Sequence, residues 1–317
     1  MTDRGLLVVA LGGNALQAPD GDDSVESDFT RTRVTASKLA TVAAAGWRLV
    51  ITHGNGPQVG NHLLRSELGH VHGDLPLLPL DTCVADTQGG MGYMIQQCLT
   101  NALHELHVAA VVVSVVTQAL VDASDPAFAQ PSKPVGETIP PERAEVLRKQ
   151  GWHLAEDPHR HGFRRVVASP EPIEIVEAAA IKAMVEDGIL VVAGGGGGVP
   201  VTAAEDGTLS GVPAVVDKDF AAALLATDLR ADGLLILTDV EGVSLDLHTP
   251  EERLLRSMTV SEARAYQDAG QFPAGSMGPK VEAACRFVEA TGNPSVITSI
   301  DRADGALDRS AGTRITP

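Results

Sequence analysis

The stretch that most constrains the fold is Leu6-Leu7-Val8-Val9-Ala10-Leu11, followed at once by Gly12-Gly13-Asn14. An apolar run without alternation predicts a strand buried on both faces, the habit of strands inside parallel sheets. The glycine pair predicts a sharp turn at the strand's carboxyl end, with main-chain N–H groups open to a ligand. Open α/β sheets place their ligands outside the carboxyl ends of such strands. One Gly-Gly pair alone is most often just a turn. Here the device recurs. Residues 47–52 run into His53-Gly54-Asn55-Gly56-Pro57, and residues 189–193 run into five glycines at 194–198. Ordering five glycines costs backbone entropy, and a run between a buried strand and Val199-Pro200-Val201 is expected to wrap a ligand.

Further strands are expected over residues 109–116, 212–216, 233–238 and 295–299. Helices are expected over 28–45, after Pro57, over 81–107, 175–186 and 260–269, after Asp219, and from about 280 to 289. This alternation predicts an α/β fold with a central, mostly parallel open sheet and helices on both faces. Gly46 stands where a helix C-cap glycine is expected, Pro57 at helix position N1, and Asp219 at an N-cap. Residues 17–27 read as a loop. Gly89, Gly90 and Gly92 allow two readings of their helix: close helix–helix approach, as across a dimer, or a kinked surface helix. Gly54, Gly56 and Gly60 match a dinucleotide-fold spacing, which is set aside because it closes the second strand and not the first.

Residues 122–170 break the rhythm with Pro126, Pro131, Pro134, Pro140 and Pro141. They are expected to be an insertion that protrudes from the domain. It should hold a short helix near 142–149 and a hairpin closing around Asp157-Pro158. His159-Arg160-His161 and Arg164 are better read as a basic loop near an anion than as a metal site, because clustered carboxylates or cysteines are missing beside them.

Lys plus Arg number 24 against 41 Asp plus Glu, a formal charge of −17 over 317 residues. That charge argues against non-specific binding to nucleic acid or to anionic membranes. Any anion site must then be built from a few lysines and backbone N–H groups. Cys83, Cys98 and Cys285 show neither a disulfide framework nor a zinc spacing. The start of the chain does not read as a signal peptide, and its apolar runs are too short to span a bilayer. A cytoplasmic location is expected. Lys133, Lys218 and Lys280 each sit beside glycine, proline or acidic turn residues, and together they favour an anion site. Neither a Walker A pattern nor the protein-kinase motif set occurs, so phosphoryl transfer here would need another fold.

Longer motifs point to a family. The chain resembles the carbamate kinases of the amino-acid kinase family, nearly end to end. The resemblance rests on residues 9–15, 53–61 and 79–85, and on Lys133-Pro134-Val135-Gly136. It also rests on residues 194–200, on Asp217-Lys218-Asp219-Phe220-Ala221, on Thr238-Asp239-Val240, and on Gly275-Ser276-Met277 with Pro279-Lys280. Ala168 and Ala193 are minor departures and touch no charged position.

The resemblance implies an eight-stranded three-layer αβα sandwich, a small protruding subdomain at 122–170, and a homodimer. It implies reversible phosphoryl transfer between ATP and carbamate, giving ADP and carbamoyl phosphate and used to make ATP in arginine catabolism. Gly12, Gly13, Asn14, Gly54, Asn55 and Gly56 would hold carbamate and the transferring phosphate. Lys133 would reach in from the subdomain. Lys218 and Lys280 would bind the nucleotide phosphates, oriented by Asp219. Gly195, Gly196, Asp217, Thr238, Asp239, Val240, Met277 and Pro279 would lie near the nucleotide. Magnesium would be held mainly by phosphate oxygens and water, without protein ligands. Two other readings are another small-acid kinase of this fold, such as acetylglutamate kinase, and a non-catalytic nucleotide-binding protein. The first needs a larger acid pocket. The second would be expected to have lost one of the lysines.

Overall fold

Strand Gly5–Leu11 lies inside an eight-stranded sheet and carries its hydrophobic runs to both faces. Leu6, Val8 and Ala10 enter one core, and Leu7, Val9 and Leu11 the other, because successive side chains point to opposite faces. Each fully buried Val or Leu of this kind contributes about 1.5–3 kcal/mol. In the computed structural model, residues 4–16, 24–149, 151–157, 161–273, 275–307 and 310–317 are described, except for the side chains of Asn14, Glu137 and Leu307.

Across the sheet the strands run Ser257–Thr259, Thr313–Thr316, Ser295–Ser299, Gly233–Thr238, Gly5–Leu11, Trp47–His53, Leu190–Val192 and Val112–Ser114. Every pairing is parallel except that of Ser295–Ser299 with Thr313–Thr316. Helices Ala178–Glu186, Lys218–Asp228 and Met277–Thr291 bury Ile181, Leu225 and Phe287 on one face. Helices Val25–Ala44 and Leu80–Glu105 bury Leu39 and Leu99 on the other. The result is an αβα sandwich with a mostly parallel sheet, as the alternation of elements requires.

Several local expectations change. The first helix begins at Val25, because the Ser24 side chain accepts a hydrogen bond from the Ser27 N–H and caps it. Val34 therefore lies on an exposed face. The strand expected over 109–116 shrinks to Val112–Ser114 at the sheet edge, with Val111 and Val116 exposed. Residues 212–216 form no strand and make only a bridge from Ala214 to Ala168. Leu209–Gly211 pairs instead with Val199–Ala203, in a second sheet with Gln118–Val121 and Pro172–Ile175. Strands of three or four residues are too short for a period to show.

Helix Leu80–Glu105 is continuous through Gly89, Gly90 and Gly92. A side chain at Gly92 would run into Ser114 Oγ, so this glycine lets the helix lie close on the edge strand. Gly89 and Gly90 face open space.

Lys133–Ile139, Leu154–Glu156 and Phe163–Val167 form a three-stranded antiparallel sheet accompanied by helix Pro141–Lys149. The expected hairpin is present between the last two strands. Pro158, His159 and Arg160 at its turn lie outside the described residues, as do 17–23 of the expected loop. Val135 and Val167 seat this sheet on Val59, Leu63 and Val84 of two helices. At Gly60 and Gly136 the two backbones touch, and a Cβ on Gly60 would overlap Gly136. Arg165 fastens the outer side, 3.1 Å from Glu67 Oε1 and 4.2 Å above the Trp152 ring.

Gly60→Ala should therefore unseat the three-stranded sheet while sparing the two main cores. Protease cleavage within residues 133–167 should accelerate, with the main unfolding transition nearly unmoved. An unchanged cleavage rate would mean that this contact does not hold the sheet down.

Candidate active site

The carboxyl ends of neighbouring strands build the floor of the site. Gly12 N–H donates to the Leu237 carbonyl at 2.9 Å, and Gly54 N–H to the Leu11 carbonyl at 3.2 Å. Helix Gly56–Gly73 follows, with Pro57 in its first turn. Asn55 is its N-cap by position but does not cap it. The buried Asn55 side chain turns away and donates to Thr87 Oγ1 at 2.8 Å, and Thr87 in turn donates to the Val84 carbonyl. The helix's first turn thus has no side-chain cap, which suits an anion. Gly13, Gly54, Asn55, Gly56 and Gly196 line a small cavity together with Met91, Lys133 and Lys218.

The glycine run packs mostly against protein. Gly194, Gly196, Gly197 and Gly198 take positive φ of 62°, 65°, 90° and 93°, which explains the residue type. A side chain at Gly196 would overlap the Asn55 amide, and one at Gly197 the Val216 carbonyl. Gly195 turns to the His53 ring instead of the cavity. Burial pulls the His53 pKa down to about 4 against the smaller opposing effect of the Gly54 carbonyl, so the ring is neutral at pH 7.

Helix Lys218–Asp228 brings the charges together. Its cap is Asp217 and not Asp219: Asp217 Oδ1 accepts from the Asp219 N–H at 2.8 Å. Asp219 is thereby free to point inward. Its carboxylate is 3% exposed and lies between Lys218 Nζ at 2.5 Å and Lys280 Nζ at 3.2 Å. Burial by itself would raise the Asp219 pKa, but the two ammonium groups outweigh it and hold the carboxyl at about 2. Burial and the charge of Lys218 lower the Lys280 pKa, and Asp219 offsets part of that. Lys133, on the first residue of the inserted sheet, lies 2.5 Å from Asp217 Oδ2. Three lysines distant in sequence so converge on one helix N-terminus. Three ammonium groups against two carboxylates leave one net positive charge in a chain that is −17 overall.

A second, wider and open cleft is lined by Lys133, Arg164, Asp217, Lys218, Asp219, Pro279 and Lys280, with Gly275 and Ser276. The cleft and the smaller cavity share Lys133, Pro134 and Lys218. Arg164 donates to the Gly136 carbonyl at 2.7 Å and 3.2 Å and lines the cleft. Thr238 ends strand Gly233–Thr238 beside Gly12, Asp239 and Val240 follow it, and none of the three lines either space. Met277 packs partly against the core. The Asn14 side chain lies outside the described residues. Ser132, Ser169 and Glu171 also line the cleft, and nothing in their local sequence marked them. Their place depends on how the inserted sheet folds back. Among the described residues there is no group of three His, Cys, Asp or Glu that could hold a metal, and the three cysteines are free and buried. No helix among them is long and apolar enough to cross a membrane.

Comparison with known proteins identifies the family. The profile of the "Amino acid kinase family" matches residues 5–299. The carbamate kinase of Pyrococcus furiosus is 47% identical over 312 residues, covering 98% of this chain and 99% of that protein. Carbamate kinase 2 of Enterococcus faecalis is 45% identical over 313 residues, covering 98% of each. The structure of Giardia lamblia carbamate kinase bound to AMP-PNP superposes with a TM-score of 0.90 at 42% identity, covering 98% of both chains. The chain belongs to the amino acid kinase family, among its carbamate kinases.

Proposed function

We propose that the protein transfers a phosphoryl group reversibly between ATP and carbamate, giving ADP and carbamoyl phosphate. The observation that carries the reading is the meeting of the two cavities at Lys133 and Lys218. A small anion fits the inner cavity, and a nucleotide fits the open cleft. Carbamate is already an anion near neutral pH, so the nucleophile needs no general base. The work left is to align two anions and to neutralise charge on the transferring group. In this reading, Gly13 and Gly56 meet the small anion with backbone N–H groups, while Gly54, whose N–H is taken by the Leu11 carbonyl, lines the cavity without a side chain. Lys218 and Lys280 bind nucleotide phosphates, kept in place by the ionised Asp219, and Lys133 reaches the transferring group from above. Preorganised cations of this kind need no reorganisation during the reaction.

Magnesium fits this site as a companion of the nucleotide. The Asp219 carboxylate is taken up by two lysines, and Asp217 by Lys133 and a backbone N–H. A hard cation would then find its oxygens on phosphates and water, where it neutralises phosphate charge. The insertion at residues 122–170, with its three-stranded sheet, acts as a lid over the site. The chain works in the cytoplasm as a homodimer, and its use is ATP formation in arginine catabolism. The exposed face of helix Leu80–Glu105, with Gly89, Gly90 and Tyr93, supports pairing of two copies there.

A coupled assay should detect ATP made from ADP and carbamoyl phosphate, and none after magnesium is removed. Turnover of acetylglutamate with none of carbamoyl phosphate would overturn the assignment. Lys218→Ala and Lys280→Ala should each lower kcat by roughly 10²–10³, the cost of losing one preorganised donor. Lys280→Ala should also weaken ADP binding. Lys133→Ala should lower kcat similarly and leave ADP affinity nearly intact. Three ordinary surface lysines would instead give changes of only a few fold.

For the dimer, light scattering should give twice the chain mass at micromolar concentration, and Gly90→Arg should halve it. A wild-type monomer would remove that part of the reading.

A further inference from the structure

We propose that Asp217 is a positioning residue, a fixed electrostatic catch that holds Lys133 and the inserted sheet over the reaction site. The proposal rests on the reading that Lys133 assists phosphoryl transfer. It adds what puts Lys133 there.

The Asp217 carboxylate makes two contacts with different elements. Oδ1 accepts the Asp219 N–H at 2.8 Å and thereby caps helix Lys218–Asp228. That bond fixes the plane of the carboxylate, and the positive end of the helix favours its charge. Oδ2 is left pointing at Lys133 Nζ, 2.5 Å away. Lys133 needs such a partner. It is the first residue of its strand, and its long stem is flexible. Its neighbour two residues on, Val135, is 1% exposed and anchored in the small apolar cluster, and Gly136 lies against Gly60. The strand is therefore seated from Val135 onward, while the Lys133 ammonium is fixed by Asp217.

The alternating Asp-Lys-Asp at 217–219 then has a division of labour. Asp219 gathers the two lysines of the body, Lys218 and Lys280. Asp217 gathers the lysine of the inserted sheet. Without it, Lys133 would approach two ammonium groups with no carboxylate of its own, and like charges repel. With it, one helix N-terminus sets the positions of all three cations before any phosphate arrives.

Asp217→Asn separates this role from capping, because asparagine caps as well as aspartate but carries no charge. Turnover of carbamoyl phosphate with ADP should fall on the order of ten- to a hundredfold, the scale of a misplaced catalytic group. The KM for ADP and the melting temperature should stay near wild type. A role limited to capping the helix would leave both the melting temperature and kcat of Asp217→Asn at wild-type values. Lys133→Met supplies the decisive background. If Asp217 acts through Lys133, then Lys133→Met and the Lys133→Met/Asp217→Asn double variant turn over equally. Wild-type kcat in Asp217→Asn, or losses that multiply in the double variant, would overturn the proposal. Asp217→Ser, also a good cap, repeats the measurement if the asparagine variant folds poorly. Full turnover in Lys133→Met would instead sink the role given to Lys133 itself. A defective Lys133→Met beside a normal Asp217→Asn sinks only the catch.

Discussion

The site depends on one buried carboxylate, Asp219, held ionised between two ammonium groups. A lone charge at 3% exposure would cost several kcal/mol and would neutralise itself. Lys218 and Lys280 prevent that, and in return Asp219 offsets their mutual repulsion. The two lysines come from the first turns of two different helices, both packed on the same face of the sheet. Burial of those helices thus sets the spacing of the cations. Packing and electrostatics are coupled here through a single side chain.

The same economy runs through the neighbouring turns. Asp217 caps the helix so that Asp219 need not, and it also meets the lysine of the inserted sheet. Asn55 gives up the capping of its own helix to bond Thr87, which leaves that helix end open toward the cavity. The glycines at 194–198 let a buried turn pass beneath His53 and Asn55 without collision. Their positive φ angles serve the protein's own packing, and only then the shape of the cavity. The expectation that the whole run wraps a ligand misread why glycine is needed there.

The inserted sheet differs in kind from the sandwich. Its contacts with the body are a small cluster around Val135 and Val167, one backbone touch at Gly60 and Gly136, and the pairs made by Lys133 and Arg165. Such a seat buries little apolar surface beside the two main cores. Segments with few buried contacts open at lower free energy than the core.

The sequence by itself determined the central sheet and the residues that carry charge. Doubly apolar runs such as residues 6–11 can satisfy themselves only between two helical layers, and their glycine-rich ends mark the edge where ligands bind. It also separated Lys133, Lys218 and Lys280 from other lysines by their turn-like surroundings. Tertiary structure alone decided which of two aspartates caps and which is buried, since Asp217 and Asp219 are equally good caps by residue type. It alone decided that residues 112–114 form an edge strand, that residues 209–211 and not 212–216 pair, and that Ser132, Ser169 and Glu171 face the cleft. These outcomes depend on partners far away along the chain, and local pattern carries no record of such partners.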